Sequence, residues 1–363
     1  MNTKTKECLT LSLTPYFSKV KFKNALEAGL DIHEIITQPN NFKKALSLRE
    51  ETIKYLKDKS YNEPVKKVDK WLKNPNHNII SYFDDKYPDS LKEIVDPPIL
   101  LYCVGDTNLL ATNQLAVVGS RNYSTYGRNA TNKIITELAE SNLTITSGLA
   151  FGIDTLAHEF SLKNNLKTIA VIGTGINIVY PASNRALYEK IAQNGLITSE
   201  FILGTKPLRH NFPIRNRLIS GLSKGVVVIE AASKSGSLIT AKLALDQNKE
   251  VFTIPGSIFN STSQGCNDLI MQGAKLVRNA DDIIEELQID NSSKSQISEF
   301  VAIENLSLKP EQVLVYESIS NDLTTIDNII NSTTIDYSKI TEILFDLEMQ
   351  NLIQSVSGGY TKI

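Results

Sequence analysis

The sequence predicts an α/β protein built on a doubly wound, mostly parallel sheet, with a small helical region before it and a winged helix after it. Three patterns carry that prediction. Continuous apolar runs recur through the middle of the chain at Leu115–Gly119, Leu143–Ser147, Thr168–Gly173, Leu196–Ser199, Val226–Glu230 and Val251–Pro255. Such runs suit strands buried on both faces. Stretches of helical periodicity separate them, at Asn129–Glu140, Ile153–Lys163, Ala186–Gln193, Ile214–Leu222 and Leu238–Gln247. Strand–helix alternation of this regularity implies parallel strands joined by crossover helices. The tail reads helix (Glu311–Ser320), helix (Ile326–Asn331), helix (Tyr337–Asn351), then two short strands around Gly358-Gly359, the order of a winged helix-turn-helix.

The flanking regions follow from spacing and turn chemistry. From Leu9 to about Leu72 the residues Phe17, Val20, Phe22, Leu26 and Leu30, then Leu46, Ile53 and Leu56, recur at helical intervals beneath a lysine-rich exterior. Lys73-Asn74-Pro75-Asn76-His77-Asn78 reads as a linker. The expected organisation is a helical domain over 1–75, a sheet domain over 76–290, a linker over 291–304 and a winged helix over 305–363.

Composition limits the function classes. A chain of 363 residues is long enough for two or three domains, and its 41% hydrophobic and 21% charged residues suit a soluble globular protein. No apolar run approaches the roughly 18 residues of a membrane span, and the first apolar patch alternates with Thr and Ser, unlike a signal peptide. Cys8, Cys103 and Cys266 are far apart, so a disulfide framework or Cys-rich zinc site is not expected, and a reducing, cytoplasmic setting fits.

The net charge of −2 hides an uneven distribution. Residues 201–250 carry 8 basic against 3 acidic side chains, residues 1–80 carry 15 against 9, and residues 306–363 carry 3 against 8. Positive charge gathered on one face can hold a polyanion whatever the total.

Three motifs concentrate the chemistry. Gly119-Ser120-Arg121 directly follows an apolar strand and precedes a helix, where free backbone N–H groups and an arginine can make an anion site. The stretch from Thr205 to Arg217 gathers Lys206, Arg209, Arg215 and Arg217 with Phe212 among them and no acid. Cations track phosphates and an aromatic ring stacks on a base, which is how unpaired strands are held. Lys234-Ser235-Gly236-Ser237 closes the most apolar strand and opens a helix, offering hydroxyls and amides to an anion or a cap to the helix. No Walker A pattern and no Gly-x-Ser-x-Gly elbow occurs, and Gly173-Thr174-Gly175 lacks the third glycine of a dinucleotide fingerprint. Asp154 and His158 share a helix face, where a local hydrogen bond or salt bridge is a better reading than a metal pair. Neither a catalytic residue, a metal nor a cofactor is expected.

Together these motifs resemble the DNA-processing protein A (DprA/Smf) family. The resemblance rests on Asp96–Gly105, Val117–Arg121 with Ser124–Gly127, Ser147–Asp154, Ala157-His158, Tyr180-Pro181, Ser199-Glu200, Phe212–Arg217, Ser233–Ala241 and Ile254–Ser257, in that order. It implies an extended Rossmann-like domain, a small N-terminal helical (SAM or helix-hairpin-helix-like) domain and a winged-helix extension. It further implies a homodimer that binds single-stranded DNA, protects it and helps load the RecA recombinase during natural transformation or recombination, with no enzymatic activity and no membrane association. The family's groove residues match Ser120, Arg121, Arg209, Phe212 and Asn216. With the anion-site argument the candidate set is Gly119, Ser120, Arg121, Arg209, Phe212, Arg215, Asn216, Arg217, Lys234, Ser235, Gly236 and Ser237. His158, inside a family motif, is expected to brace the Ser147–Ala150 loop. Two rivals remain. One is a nucleotide-binding or nucleoside-monophosphate-hydrolysing Rossmann-like enzyme, whose Pro-Gly-Gly-x-Gly-Thr loop is missing from Glu230–Thr240. The other is a duplex-binding regulator, disfavoured because the third tail helix holds Glu342, Asp346 and Glu348 against Lys339.

Overall fold

The computed structural model describes residues 1–289, 308–320, 323–333, 335–350 and 352–362. The linker expected at 291–304 lies outside them. The amino-terminal region forms α1 (Thr3–Leu13), α2 (Lys19–Glu27), α3 (Ile32–Thr37), α4 (Glu50–Lys57) and α5 (Asn62–Trp71). Asn2, Ser18 and Asp31 begin the first three, each side chain accepting a first-turn backbone N–H. Cys8, Leu9, Leu11, Phe22, Ile35 and Leu56 share one core with Ile79, Leu100 and Tyr102, so these helices rest directly on one end of the sheet.

The sheet holds β1 (His77–Ser81), β2 (Leu100–Gly105), β3 (Gln114–Val118), β4 (Thr144–Ser147), β5 (Thr168–Val171), β6 (Leu196–Ser199), β7 (Gly225–Val228), β8 (Glu250–Thr253) and β9 (Lys275–Leu276). Their spatial order is β1-β2-β6-β5-β4-β3-β7-β8-β9. From β6 to β9 every pairing is parallel, while β2 runs antiparallel to both β1 and β6. The six apolar runs of the sequence all become strands. The antiparallel pair β1–β2 and the short β9 lie beyond them, and β1 begins inside the segment read as a linker.

Helices α6 (Asp89–Lys92), α7 (Thr125–Glu137), α8 (Ile153–Lys163), α9 (Arg185–Asn194), α10 (Asn211–Leu222), α11 (Ser237–Asp246), α12 (Gln264–Met271) and α13 (Ala280–Glu286) complete this region. Alternation along β3 sorts the two layers. Leu115 and Val117 pack with Ile134, Ile135, Leu156 and Phe160 of α7 and α8. Ala116 and Val118 pack with Leu218, Ile219, Ala241 and Ala244 of α10 and α11. Helix α7 starts at Thr125 rather than Asn129 because the Ser124 hydroxyl accepts the Gly127 N–H at 3.1 Å.

The tail folds as α14 (Pro310–Ser318), α15 (Ile326–Thr333), α16 (Tyr337–Met349) and the hairpin β10 (Ile353–Val356)–β11 (Gly359–Lys362). Gly358, at φ +99°, makes the turn of the wing. Val315, Ile319, Ile329, Ile340, Leu344, Leu347 and Ile353 form a separate small core. No helix among the described residues is long and apolar enough to cross a membrane.

Candidate functional site

In an open doubly wound sheet a crevice forms where connections leave adjacent strands in opposite directions. That point here lies between β3 and β7. The loops after these strands and the starts of α10 and α11 enclose a cleft of about 830 Å³. It gathers eleven of the twelve residues expected from the sequence: Gly119, Ser120, Arg121, Arg209, Phe212, Arg215, Asn216, Lys234, Ser235, Gly236 and Ser237. Arg121, Arg209 and Lys234 are exposed and supply its accessible positive charge.

The loop after β3 is held by close packing. A Cβ at Gly119 would sit 2.6 Å from Ile153 Cγ1, and one at Gly152, where φ is +87°, would sit 2.1 Å from the Ser120 carbonyl. The Ser120 hydroxyl donates to the Asn122 carbonyl at 2.8 Å, and the Ser120 carbonyl accepts the Ile153 N–H at 3.0 Å. Glu230, at the end of β7, is buried. Its carboxylate accepts the Ser124 N–H at 2.9 Å and the Thr262 hydroxyl, so one side chain ties together the loops after β3 and β8. At the start of α11 the Ser235 and Ser237 hydroxyls bond each other at 2.7 Å, and Ser235 Oγ also accepts the Ser237 N–H at 3.3 Å. Ser235 therefore serves the helix start while still lining the cleft.

On α10, Phe212 is half-buried. Its ring lies 5.6 Å from that of Tyr180 at a 41° tilt and covers Gly173, where a Cβ would come within 2.9 Å. Arg215 forms part of the floor. Its guanidinium donates to the Gly148 carbonyl at 2.6 Å and to the Val171 carbonyl, and its Nε donates to Asn216 Oδ1 at 3.0 Å. Burial lowers this guanidinium to about 10, Asp154 opposes that shift and Arg121 adds to it. Arg215 thus braces the Gly148 turn and contributes positive charge from beneath rather than an open fork.

Arg217 does not reach the cleft. Its side chain is 6% exposed, donating to Asp96 at 2.8 Å and to Glu200 at 2.6 Å, and Glu200 also holds Lys19 of α2 at 2.5 Å. The basic stretch was expected to offer its arginines together, but residues two apart on a helix point to nearly opposite sides. Arg217 instead fastens α2 to α10.

The Asp154–His158 pair separates into two structural roles. Asp154 Oδ2 accepts the N–H groups of Gly148 and Ala150 at 3.1 and 3.4 Å, so the aspartate, not the expected histidine, braces the Ser147–Ala150 loop. Burial raises the Asp154 carboxyl, against the pull of Arg215. His158 is fully buried with Nδ1 at 2.7 Å from Thr168 Oγ1, and burial, reinforced by Arg215, lowers it to about 3. Among the described residues no group of three or more His, Cys, Asp or Glu could hold a metal ion.

Sequence reasoning missed Glu230 as a brace and Tyr180 and Phe151 as cleft-side aromatics. A lone acid closing the apolar run Val226–Ile229 was the available signal for Glu230, since a buried carboxylate needs hydrogen-bond partners. Both Tyr180 and Phe151 are exposed beside Phe212 and line a small recess with Arg121.

The geometry defines a doubly wound α/β protein with a cationic, aromatic-sided cleft at its topological switch point. The chain belongs to the DNA recombination-mediator protein A family, whose model matches residues 78–288, and the DprA winged helix domain matches residues 304–359. It is 40% identical over 303 residues to protein Smf of Escherichia coli, covering 81% of this chain and 79% of that one. It is 48% identical over 208 residues to the DNA processing protein DprA of Streptococcus pneumoniae, covering 57% and 73% respectively. The X-ray structure of the Streptococcus pneumoniae DprA superposes with a TM-score of 0.67 at 37% identity, covering 79% of this chain and 98% of that one. A Helicobacter pylori DNA processing protein A, described for its single-stranded DNA binding mode, gives a TM-score of 0.53 at 34% identity over 58% of this chain and 95% of that one.

Proposed function

We propose that the chain is a non-enzymatic cytoplasmic protein that holds single-stranded DNA in the β3–β7 cleft, protects it and helps load the RecA recombinase in natural transformation or recombination. The observation that carries this is the surrounding of one half-buried aromatic, Phe212, by exposed Arg121, Arg209 and Lys234. Point charges at the sides hold phosphates, and a ring on the wall stacks with a base, a combination that tolerates any sequence. The single-stranded DNA binding described for the Helicobacter pylori relative supports the same reading.

In this reading residues 1–75 are a helical domain, 76–290 the DNA-holding domain, 291–304 a linker and 305–363 a protein-contacting winged helix. For the last, α16 carries exposed Tyr337, Phe345 and Met349 along one side beside Glu342, a surface suited to protein and repellent to phosphates. Homodimerisation would use the apolar surface of Ile258, Phe259 and Met271, which stand exposed just before and within α12. Titrating labelled oligothymidine against the intact protein and an Arg121→Ala variant tests the cleft. Tight, salt-sensitive binding weakened by the substitution supports the reading. Absent binding, or release of base from a nucleoside monophosphate, overturns it in favour of a nucleotide-directed enzyme.

A further inference from the structure

A second groove, about 790 Å³ and nearly the size of the cleft, runs between α8 and α9. Its lining includes Lys163, Lys167 and Lys190 with Asn165, Ser183 and Asn194, against one carboxylate, Glu159. Among the described residues none of the three lysines is paired with a carboxylate. Lys167 donates to the Asn194 carbonyl at 3.3 Å, and all three are exposed.

A short stretch of chain leads from the cleft's side to the groove. A small recess lined by Phe151, Tyr180, Pro181 and Phe212 shares Arg121, Ala150, Tyr180 and Phe212 with the cleft. The chain leaving Tyr180-Pro181 runs straight into Ser183 and Asn184, which line the groove's near end. Asn184 pins this junction, donating to the Leu149 carbonyl at 3.2 Å and to Thr155 Oγ1 at 2.9 Å. Phe151, 50% exposed, and Tyr180, 45% exposed, give the recess beside the cleft an open aromatic saddle.

We propose that a single strand leaving the cleft crosses this aromatic saddle and continues along the α8–α9 groove, its phosphates met by Lys163, Lys167 and Lys190. The inference rests on the cleft's binding single-stranded DNA. It adds that the footprint on one protomer is longer than the cleft. The ten residues of α9 span roughly 15 Å, room for about four further nucleotides at the roughly 3.4 Å spacing of one stacked strand. Flexible ammonium groups and amide side chains carry no base code, so the extension should be indifferent to sequence.

Oligothymidines of two lengths test it, one of roughly 6 nucleotides that fills only the cleft and one about three times longer. The intact protein should bind the longer strand more tightly and with a steeper salt dependence. A Lys163→Gln/Lys167→Gln/Lys190→Gln variant should lose about 2 from the long-strand salt slope, at about 0.7 per phosphate contact on a single strand, and keep its affinity for the short strand. Lys190→Gln alone, an exposed mid-helix change, should lose about 0.7 and guards against misfolding of the triple variant. Unchanged long-strand affinity and slope in both variants, with short-strand binding intact, overturns the groove but spares the cleft. An intact protein that binds neither length overturns the cleft reading and the groove with it.

Discussion

Removing the three exposed cations of the cleft isolates its electrostatic contribution. Arg121, Arg209 and Lys234 line the cavity and are exposed, so truncating them leaves the core intact. Surface changes of this kind shift stability by about 0.5 kcal/mol or less. Each phosphate contact to a single strand contributes about 0.7 to the slope of log affinity against log salt, so the triple alanine variant should lose about 2. Between about 50 and 200 mM salt the intact protein should then lose roughly 20-fold more affinity than the variant. Fluorescence anisotropy with labelled oligothymidine over that range reads the slope, and thermal melts of both proteins establish that the fold survives. Arg121→Ala alone should account for about 0.7 of the change. Slopes that coincide in a folded triple variant would refute the assignment of this cleft to the phosphate backbone, whatever the absolute affinity.

Other expectations follow from single contacts. Phe212→Ala should weaken oligothymidine binding by about 1–3 kcal/mol if a base stacks there, whereas a fall in melting temperature with unchanged binding would make the ring purely structural. Glu230→Ala strips the Ser124 N–H and the Thr262 hydroxyl of their shared acceptor and should lower both stability and affinity, while an unaltered melt and titration would contradict the bracing role. Burial holds the His158 imidazole at about 3, below its usual 6.5. The folded pKa is therefore the lower one, so this stabilisation is complete above about pH 6.5 and lost as pH falls towards 3. In an NMR titration the His158 ring signals should not move between about pH 8 and 5, and a midpoint near 6.5 would refute its buried, neutral state. A protein truncated after residue 289 should stay folded and bind oligothymidine within a few-fold of the full chain, and a much larger loss in a folded protein would mean the winged helix grips DNA.

Much of the fold was legible because period and burial coincide. Each apolar run of the parallel sheet is covered on both faces, so Leu115–Val118 or Val226–Val228 needs no partner information to read as a strand. The winged helix was legible for the same reason, its apolar positions falling at helical intervals. The antiparallel pair was harder. His77–Ser81 begins with two polar residues inside a turn-rich stretch and becomes a strand only because β2 supplies its hydrogen bonds. In the site, residues set by local geometry were readable, including the Gly-Ser-Arg turn and the start of α11. Residues whose role depends on where a helix turns them were not. Arg215 and Arg217 look equivalent in a basic run, yet one floors the cleft and the other fastens α2 through Glu200. The mutual proximity of Tyr180, Phe151 and Phe212 comes from two separate loops and the start of α10, and no local pattern announces it.

The central claim is that the cleft takes an unpaired strand. A competition titration displacing labelled oligothymidine with unlabelled oligothymidine and, separately, with duplex of equal length tests it most directly. The expected result is displacement by the single strand at concentrations far below those at which the duplex competes, with the difference removed in the Arg121/Arg209/Lys234 triple alanine variant. Equal competition by the duplex, or a preference for it, would contradict the account.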